Sequence, residues 1–109
     1  MPGTTELLQG TLELLILKVL ALEPAHGYGI CQRLQQVSRD VFKVNTGSMF
    51  PALHRMETKG WVAGEWGKTE NNRRAKYYSL TPKGRRRLTK ETAQWERASL
   101  AITHVLEAQ

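Results

Sequence analysis

The sequence predicts a mainly α-helical chain with one small β-hairpin. Leucine-rich and amphipathic stretches of helical length occupy the first 60 residues, two strand-like runs follow, and a long amphipathic segment comes last. With 109 residues, of which 40% are hydrophobic, the chain has the size and composition of one compact unit with a core. We expect residues 1–80 to form the main part of that unit and residues 81–109 to form a final helix.

Two helices are predicted before residue 40. Leu7–Leu22 is apolar most of the way round, which is typical of a helix buried on more than one face, by its own core or by a partner chain as well. Residues 25–29 carry two glycines and are expected to form a turn. From about Gly29 to Val37, apolar residues recur at i, i+4 and i+7, and this spacing predicts a second helix.

A third helix is predicted from about Ser48 to Lys59. Residues 45–48 offer several capping side chains before it, and Gly60 follows it as a typical terminating glycine. Pro51 fits best in the first turn, which favours a start near residue 47 or 48. Its spacing predicts an apolar core face with Met49 and a second face, small, polar and basic, that consists of Ser48, Ala52, Arg55 and Lys59.

The last third of the chain predicts a hairpin and then a helix. Trp61–Lys68 and Arg74–Leu80 are rich in aromatic and β-branched residues and are joined by a polar turn. Thr81 and Pro82 have the order of an N-cap and a first helical residue. The helix that they begin is predicted to continue to the C-terminus, with Leu88, Trp95 and Ile102 at intervals of seven.

Positive charge is concentrated in the middle of the chain. The formal net charge is +6, but residues 43–90 alone carry +9, whereas residues 1–42 carry −1 and residues 91–109 carry −2. A basic stretch between slightly acidic ends favours a nucleic-acid face over a uniformly solvated basic surface, because neutralising phosphates drives such binding.

Several other classes of protein are not expected. The single Cys31 excludes an internal disulfide framework, and the three histidines, His26, His54 and His104, lack metal-ligand spacing. No stretch has the length and apolarity of a membrane span or the charges of an export signal, so we expect a cytoplasmic protein without a membrane partner. Without a nucleophile–base pair or a phosphate-binding glycine loop, we expect neither an enzyme nor a cofactor or metal.

Three helices followed by a hairpin is the element order of a winged helix-turn-helix. In that fold the third helix enters the major groove and the hairpin, or wing, reaches the DNA backbone or the minor groove. Arg55 has the chemistry to read guanine or, as the more frequent kind of contact, to hold a phosphate, and Ser48 has equally the chemistry of a DNA contact and of a cap. Tyr28, Tyr78 and the two tryptophans of the hairpin are expected to be structural. The alternative function is a winged helix that binds proteins without specific DNA binding.

Six stretches in one order make the sequence recognisable. They are Gly-Thr-Leu-Glu-Leu-Leu-Ile-Leu at 10–17, His-Gly-Tyr-Gly-Ile at 26–30, Gly-Ser-Met-Phe-Pro-Ala-Leu-His-Arg-Met-Glu at 47–57, Gly-Trp-Val at 60–62, Asn-Asn-Arg-Arg-Ala-Lys-Tyr-Tyr at 71–78 and Leu-Thr-Pro-Lys-Gly at 80–84. On these motifs the chain resembles the PadR family of bacterial transcriptional regulators, in its short branch, which has a single helix after the wing. One departure is Met49-Phe50-Pro51, where the family usually has Leu-Tyr-Pro, so a hydroxyl is missing.

The resemblance implies a DNA-binding regulator, a repressor released by a signal or small molecule. It implies a homodimer, formed by the last helix and the partner's first helix, on an inverted-repeat DNA site, and a small aromatic effector beside a tryptophan of the last helix. The residues predicted to contact DNA are Ser48, Met49, Phe50, Pro51, Ala52, Arg55 and Lys59 on the third helix and Asn72, Arg73, Arg74 and Lys76 on the hairpin. Those predicted for the dimer interface or effector site are Leu8, Leu12, Trp95 and Ile102.

Overall fold

A computed structural model describes residues 9–109, and it confirms the predicted fold class: four helices and a small antiparallel sheet. In chain order the elements are α1 (Gln9–Leu22), β1 (Ala25–His26), α2 (Gly27–Val37), α3 (Thr46–Thr58), β2 (Val62–Lys68), β3 (Arg74–Leu80) and α4 (Pro82–Leu106). Leu7 and Leu8, which the sequence placed at the start of the first helix, lie outside the described residues. None of the described helices is long and apolar enough to cross a membrane.

The sheet has one strand more than the sequence predicted. The hairpin of β2 and β3 is confirmed, but β1 pairs with the outer side of β3, with Ala25 opposite Tyr78 and His26 opposite Tyr77. The expected turn at residues 25–29 was therefore wrong. His26 also caps α2, because its Nδ1 accepts a hydrogen bond from the Gly29 N–H at 3.0 Å, and α2 accordingly begins at Gly27.

The third helix begins two residues before the predicted Ser48. Asn45 is its N-cap, and the Asn45 side chain accepts a hydrogen bond from the Ser48 N–H at 3.0 Å. Pro51 therefore lies two residues further into α3 than predicted, in the second turn. A proline has no N–H, so the carbonyl of Gly47, an exposed residue, lacks its usual helical donor. Gly60, with φ at +78°, ends the helix as predicted.

The core forms around α1 and the buried faces of α2 and α3, with the base of the sheet closing it. The largest fully buried side chains are Ile16, Leu17, Ile30, Met49, Leu53 and Met56. Trp61 and the strand residues Val62 and Tyr78 are also buried in this core. Burying these aliphatic and aromatic groups, each contributing about 1.5–3 kcal/mol, is the main force that holds α3 at a fixed angle to the hairpin.

The last helix is packed only at its beginning. Thr81 and Pro82 take their predicted places as N-cap and first residue, and Thr81 Oγ1 accepts a hydrogen bond from the Gly84 N–H at 3.0 Å. Gly84 is buried and Leu88 packs against the core, but most side chains after Glu91 are exposed. Since α4 projects away from the core, the molecule is elongated, with extents of 57 × 36 × 21 Å.

Candidate nucleic-acid interface

The N-terminal half of α3 presents an exposed surface made of Gly47, Ser48, Phe50 and Pro51. Because Asn45 caps the helix, the Ser48 hydroxyl is not needed as a cap and faces solvent. Three of the predicted DNA-contact residues, Ser48, Phe50 and Pro51, are therefore accessible to a ligand from the same side.

Phe50 is held in place by the helix before it. Its ring is 42% exposed and meets the ring of Tyr28 edge to face, with centroids 6.2 Å apart. The ring also lies on the backbone of Gly27, where an added Cβ would come within 2.5 Å of it. Tyr28, expected in the core, is instead 64% exposed, because it follows the buried Gly27 on the outer side of α2.

Two of the predicted DNA contacts were wrong. The side chains of Met49 and Ala52 are fully buried and belong to the core. Residues 49, 52, 53 and 56 form the buried stripe of α3, so Ala52 lies on the apolar face and not on the polar face to which its spacing assigned it. The residues that lie one and two turns beyond Pro51 on the exposed side are His54 and Thr58.

Arg55 and Lys59 are both directed towards α1. The Arg55 Nε donates a hydrogen bond to Oε2 of Glu13 at 3.1 Å, and Lys59 Nζ lies 4.0 Å from Oε1 of the same carboxylate. The side chain of Glu13 is only 5% exposed, so this carboxylate needs the partner that Arg55 supplies. Lys59 Nζ also lies 4.6 Å from the centre of the Trp61 ring. The predicted contact of Arg55 with DNA thus competes with a structural ion pair.

His54 is the residue that sequence reasoning missed on this helix. It is exposed, and the Thr58 hydroxyl donates a hydrogen bond to its backbone carbonyl at 3.0 Å. The pattern of positive charge in the sequence indicates arginine and lysine and does not mark a histidine. The i, i+4, i+7, i+11 spacing of residues 47, 51, 54 and 58 was visible in the sequence, and it marks the face that the structure exposes.

The wing, residues 62–80, has the positively charged side chains of Arg74 and Lys76 on one face, and Lys76 reaches Glu57 of α3 from that face. Trp66 stands directly opposite Lys76 in the register of β2 and β3, and Lys68 stands opposite Arg74. The Arg74 guanidinium lies over the Trp66 ring, 4.5 Å from its centre. Lys76 Nζ donates to Oε1 of Glu57 at 2.9 Å, and this hydrogen bond raises the pKa of Lys76. One side of the wing is therefore aromatic and positively charged.

The tip of the wing is a tight polar turn. Asn72 has a φ of +60°, a left-handed conformation that asparagine tolerates, and its N–H donates to the Thr69 carbonyl at 2.9 Å. Arg73 is exposed beside it. In the part of the chain that the structure describes, neither Arg73 nor Arg74 forms an ion pair, so both guanidinium groups are free to hold an anion.

An open groove of about 1020 Å³ separates the wing from α2 and α3. Tyr28 and Phe50 line one side of this wing groove, and Trp66, Arg74 and Lys76 line the other. The structure therefore brings Phe50, Arg74 and Lys76 together around one space, while it keeps Met49, Ala52 and Arg55 away from it. A surface with aromatic rings, free guanidinium groups and an exposed helix start has the chemistry to bind phosphates and base edges.

Among residues 9–109 no group of three His, Cys, Asp or Glu side chains is placed to hold a metal ion. Cys31 is half-buried, and desolvation raises the pKa of its thiol, which makes it a poor nucleophile near neutral pH.

A second, apolar groove lies between α1 and α4. It encloses about 680 Å³ and is lined by Leu15, Phe42, Leu88 and Trp95, among others. Trp95 and Ile102 are exposed, as an interface role requires. Leu12, predicted beside them, is buried in the core of its own chain, so that prediction was wrong.

Comparison with known proteins assigns the chain to a family. Residues 16–90 match the model of the Transcriptional regulator PadR-like family, and they include α2, α3 and the whole wing. The chain belongs to the PadR-like family. This PadR-like regulator is also 33% identical to Transcriptional regulator Rv3488 of Mycobacterium tuberculosis over 86 residues, which cover 79% of this chain and 77% of that protein.

Solved structures agree with this family membership. The PadR-like regulator is similar to a PadR family transcriptional regulator from Eggerthella lenta, with a TM-score of 0.80 and 31% identity, over 93% of this chain and 86% of that one. It is similar also to a PadR-like transcriptional regulator from Bacillus cereus, with a TM-score of 0.80 and 27% identity, over 96% and 100% of the two chains. The family and these neighbours are transcriptional regulators and not enzymes.

Proposed function

We propose that this PadR-like regulator is a sequence-specific DNA-binding repressor that acts as a homodimer on an inverted-repeat operator. The observation that carries the proposal is the wing groove, in which Phe50, on the exposed start of α3, lies across from Arg74 of the wing, which forms no ion pair among the described residues. In this arrangement α3 enters the major groove with Ser48, Phe50, Pro51 and His54 near base edges. Arg73, Arg74 and Asn72 then lie against the backbone beside it.

The experiment that tests DNA binding is selection of genomic fragments of the host by the full chain at about physiological salt. An inverted repeat with half-sites about 34 Å apart, or a multiple of that, is the expected product. The variant Arg73→Ala/Arg74→Ala should weaken binding and reduce the dependence of log affinity on log salt by about two to four, because the dimer loses two to four phosphate contacts and each contact releases about one counterion. Its control, Lys90→Ala/Arg97→Ala, removes the same charge from α4. Equal retention of all fragments, or equal effects of the two variants, would contradict the proposal.

The exposed half of α4 supports the homodimer. Trp95, Ile102 and Leu106 recur on one side of the helix, are all more than half exposed, and form a continuous apolar stripe. Stripes of this kind on a soluble domain mark interaction surfaces. We expect Ile102→Glu/Leu106→Glu to yield a monomer in light scattering with an unchanged helical spectrum, since neither residue belongs to the core. Arg97→Glu, which is exposed on the opposite side of α4 and changes the charge by the same amount, is the control and should remain dimeric.

The groove between α1 and α4 is proposed as the effector site. Its apolar lining and the exposed Trp95 ring suit a flat aromatic molecule that stacks on the indole. An effector that binds better to the DNA-incompetent arrangement of the dimer shifts the population towards it and releases the operator. A panel of planar aromatic compounds should include ones that lower operator affinity for the wild type and not for Trp95→Ala. Compounds that bind this groove without changing operator affinity would refute the coupling.

A further inference from the structure

Phe50 stands where an apolar ring is unusual, on the exposed start of a helix proposed to meet DNA. Gly27 beneath the ring and Tyr28 at its edge fix its position from the side of α2. Because the ring is already immobilised, little rotamer freedom remains to be lost when a ligand covers it. The exposed part of the ring faces the wing groove and has no polar atom to offer.

The side chains around Phe50 leave few hydrogen-bonding groups at this end of α3. Pro51 is apolar, Met49 and Ala52 are buried, and Arg55 is held by Glu13 at 3.1 Å. Among the exposed residues on this half of α3, Ser48 alone has a hydrogen-bonding side chain. A guanine or cytosine edge placed directly against the Phe50 ring would lose hydrogen bonds to water that the ring cannot replace. The C5-methyl of thymine is the apolar group that unmodified DNA displays in the major groove.

We propose that Phe50 reads thymine, by packing its ring against the C5-methyl group of a base in each half-site. This assignment rests on the proposed DNA-binding function and gives it a specificity residue. The ring needs no hydroxyl for this role, because it selects a methyl group and makes no hydrogen bond to a base or phosphate.

The test uses the full-length protein and a fluorescein-labelled duplex of the operator obtained by genomic selection. Each thymine is replaced in turn by deoxyuridine, which keeps every pairing and hydrogen-bonding group and removes only the methyl. At one thymine in each half-site we expect affinity to fall about fourfold, the fold-change that corresponds to removing one methyl group from an apolar contact. Other thymines should show no comparable loss.

Variants connect that loss to Phe50. Phe50→Ala and Phe50→Gln remove the ring in two ways and are expected to bind the thymine and deoxyuridine duplexes equally, with thermal melting used to establish that each is folded. Val41→Ala truncates another exposed apolar side chain, outside the wing groove, and should keep the full discrimination. If no deoxyuridine substitution weakens the wild type, or if both Phe50 variants still discriminate, thymine reading is refuted while DNA binding stands. If selection yields no operator, both proposals fall.

Discussion

Replacing Arg55 with alanine should lower the free energy of unfolding, and it should do so without removing a phosphate contact with DNA. The guanidinium holds Oε2 of Glu13 at 3.1 Å, and the Glu13 side chain is only 5% exposed, so the substitution leaves a carboxylate buried without its main partner. Loss of one member of a fully buried pair costs roughly 3–5 kcal/mol. Arg55 is 35% exposed and Lys59 Nζ remains 4.0 Å from the other oxygen, which reduces the expected loss to about 2 kcal/mol.

The assay is thermal and urea unfolding at one fixed protein concentration, because an associating protein has a concentration-dependent melting temperature. For a chain of this size, a loss of about 2 kcal/mol lowers Tm by roughly 8 °C. Glu13→Gln/Arg55→Ala should recover part of the loss, since the uncompensated charge is gone, and a double-mutant cycle should give a coupling energy of about 1–2 kcal/mol. Lys59→Ala is the control and should cost at most ~0.5 kcal/mol, because its pair is long and exposed.

The same variant distinguishes the structural role of Arg55 from a DNA-contacting role. If Arg55 only supports α3, the salt slope of operator binding by Arg55→Ala stays that of the wild type. An unchanged Tm together with a salt slope lower by about two, one phosphate contact for each protomer, would refute this reasoning and return Arg55 to the phosphate-contacting role that its sequence position predicted.

Three further predictions concern local structure. Gly84→Ala should lower the free energy of unfolding by about 2 kcal/mol, because the added Cβ would overlap the carbonyl oxygen of Trp61. Gly10→Ala, which has open space around the added Cβ, is the control and should not destabilise the protein. Equal melting temperatures of the two variants would contradict this prediction. Asn45→Ala removes the cap of α3 and should cost about 1 kcal/mol in urea unfolding, with no loss if the cap is dispensable. Because burial raises the pKa of Cys31, its thiol should react with iodoacetamide at pH 8 more slowly than free cysteine does, and an equal or faster rate would be inconsistent with that pKa.

The parts of the fold that were predicted correctly depend on short-range chemistry. Thr81 before Pro82 and Gly60 after a helical stretch each specify a terminus through their own backbone preferences, and the structure has both as predicted. The hairpin was visible because two strand-like runs are joined by a polar turn with Asn72, whose left-handed φ suits such a turn.

The parts that were missed depend on partners distant in sequence. Nothing near Arg55 indicates that its carboxylate partner is Glu13, 42 residues earlier and on another helix. β1 is only two residues long and exists because β3 offers it a free edge. Ala52 fits a polar face by its spacing, and only the observed orientation of α3 shows that it is buried. Periodicity identifies a face of a helix, but the contacts of the whole fold decide which way that face points.

The wing and α4 are connected rigidly through Thr81. The Thr81 hydroxyl lies 2.7 Å from the Gly60 carbonyl and 3.0 Å from that of Trp61, and the Thr81 N–H donates to the Trp61 carbonyl at 3.1 Å. One residue therefore ties the end of α3, the start of β2 and the start of α4 together. In two copies joined through α4, the distance between the two α3 helices would be set by the angle at which the two α4 helices cross. In such an assembly a small change in that angle, and not the loosening of a linker, would move the α3 helices out of register with the DNA.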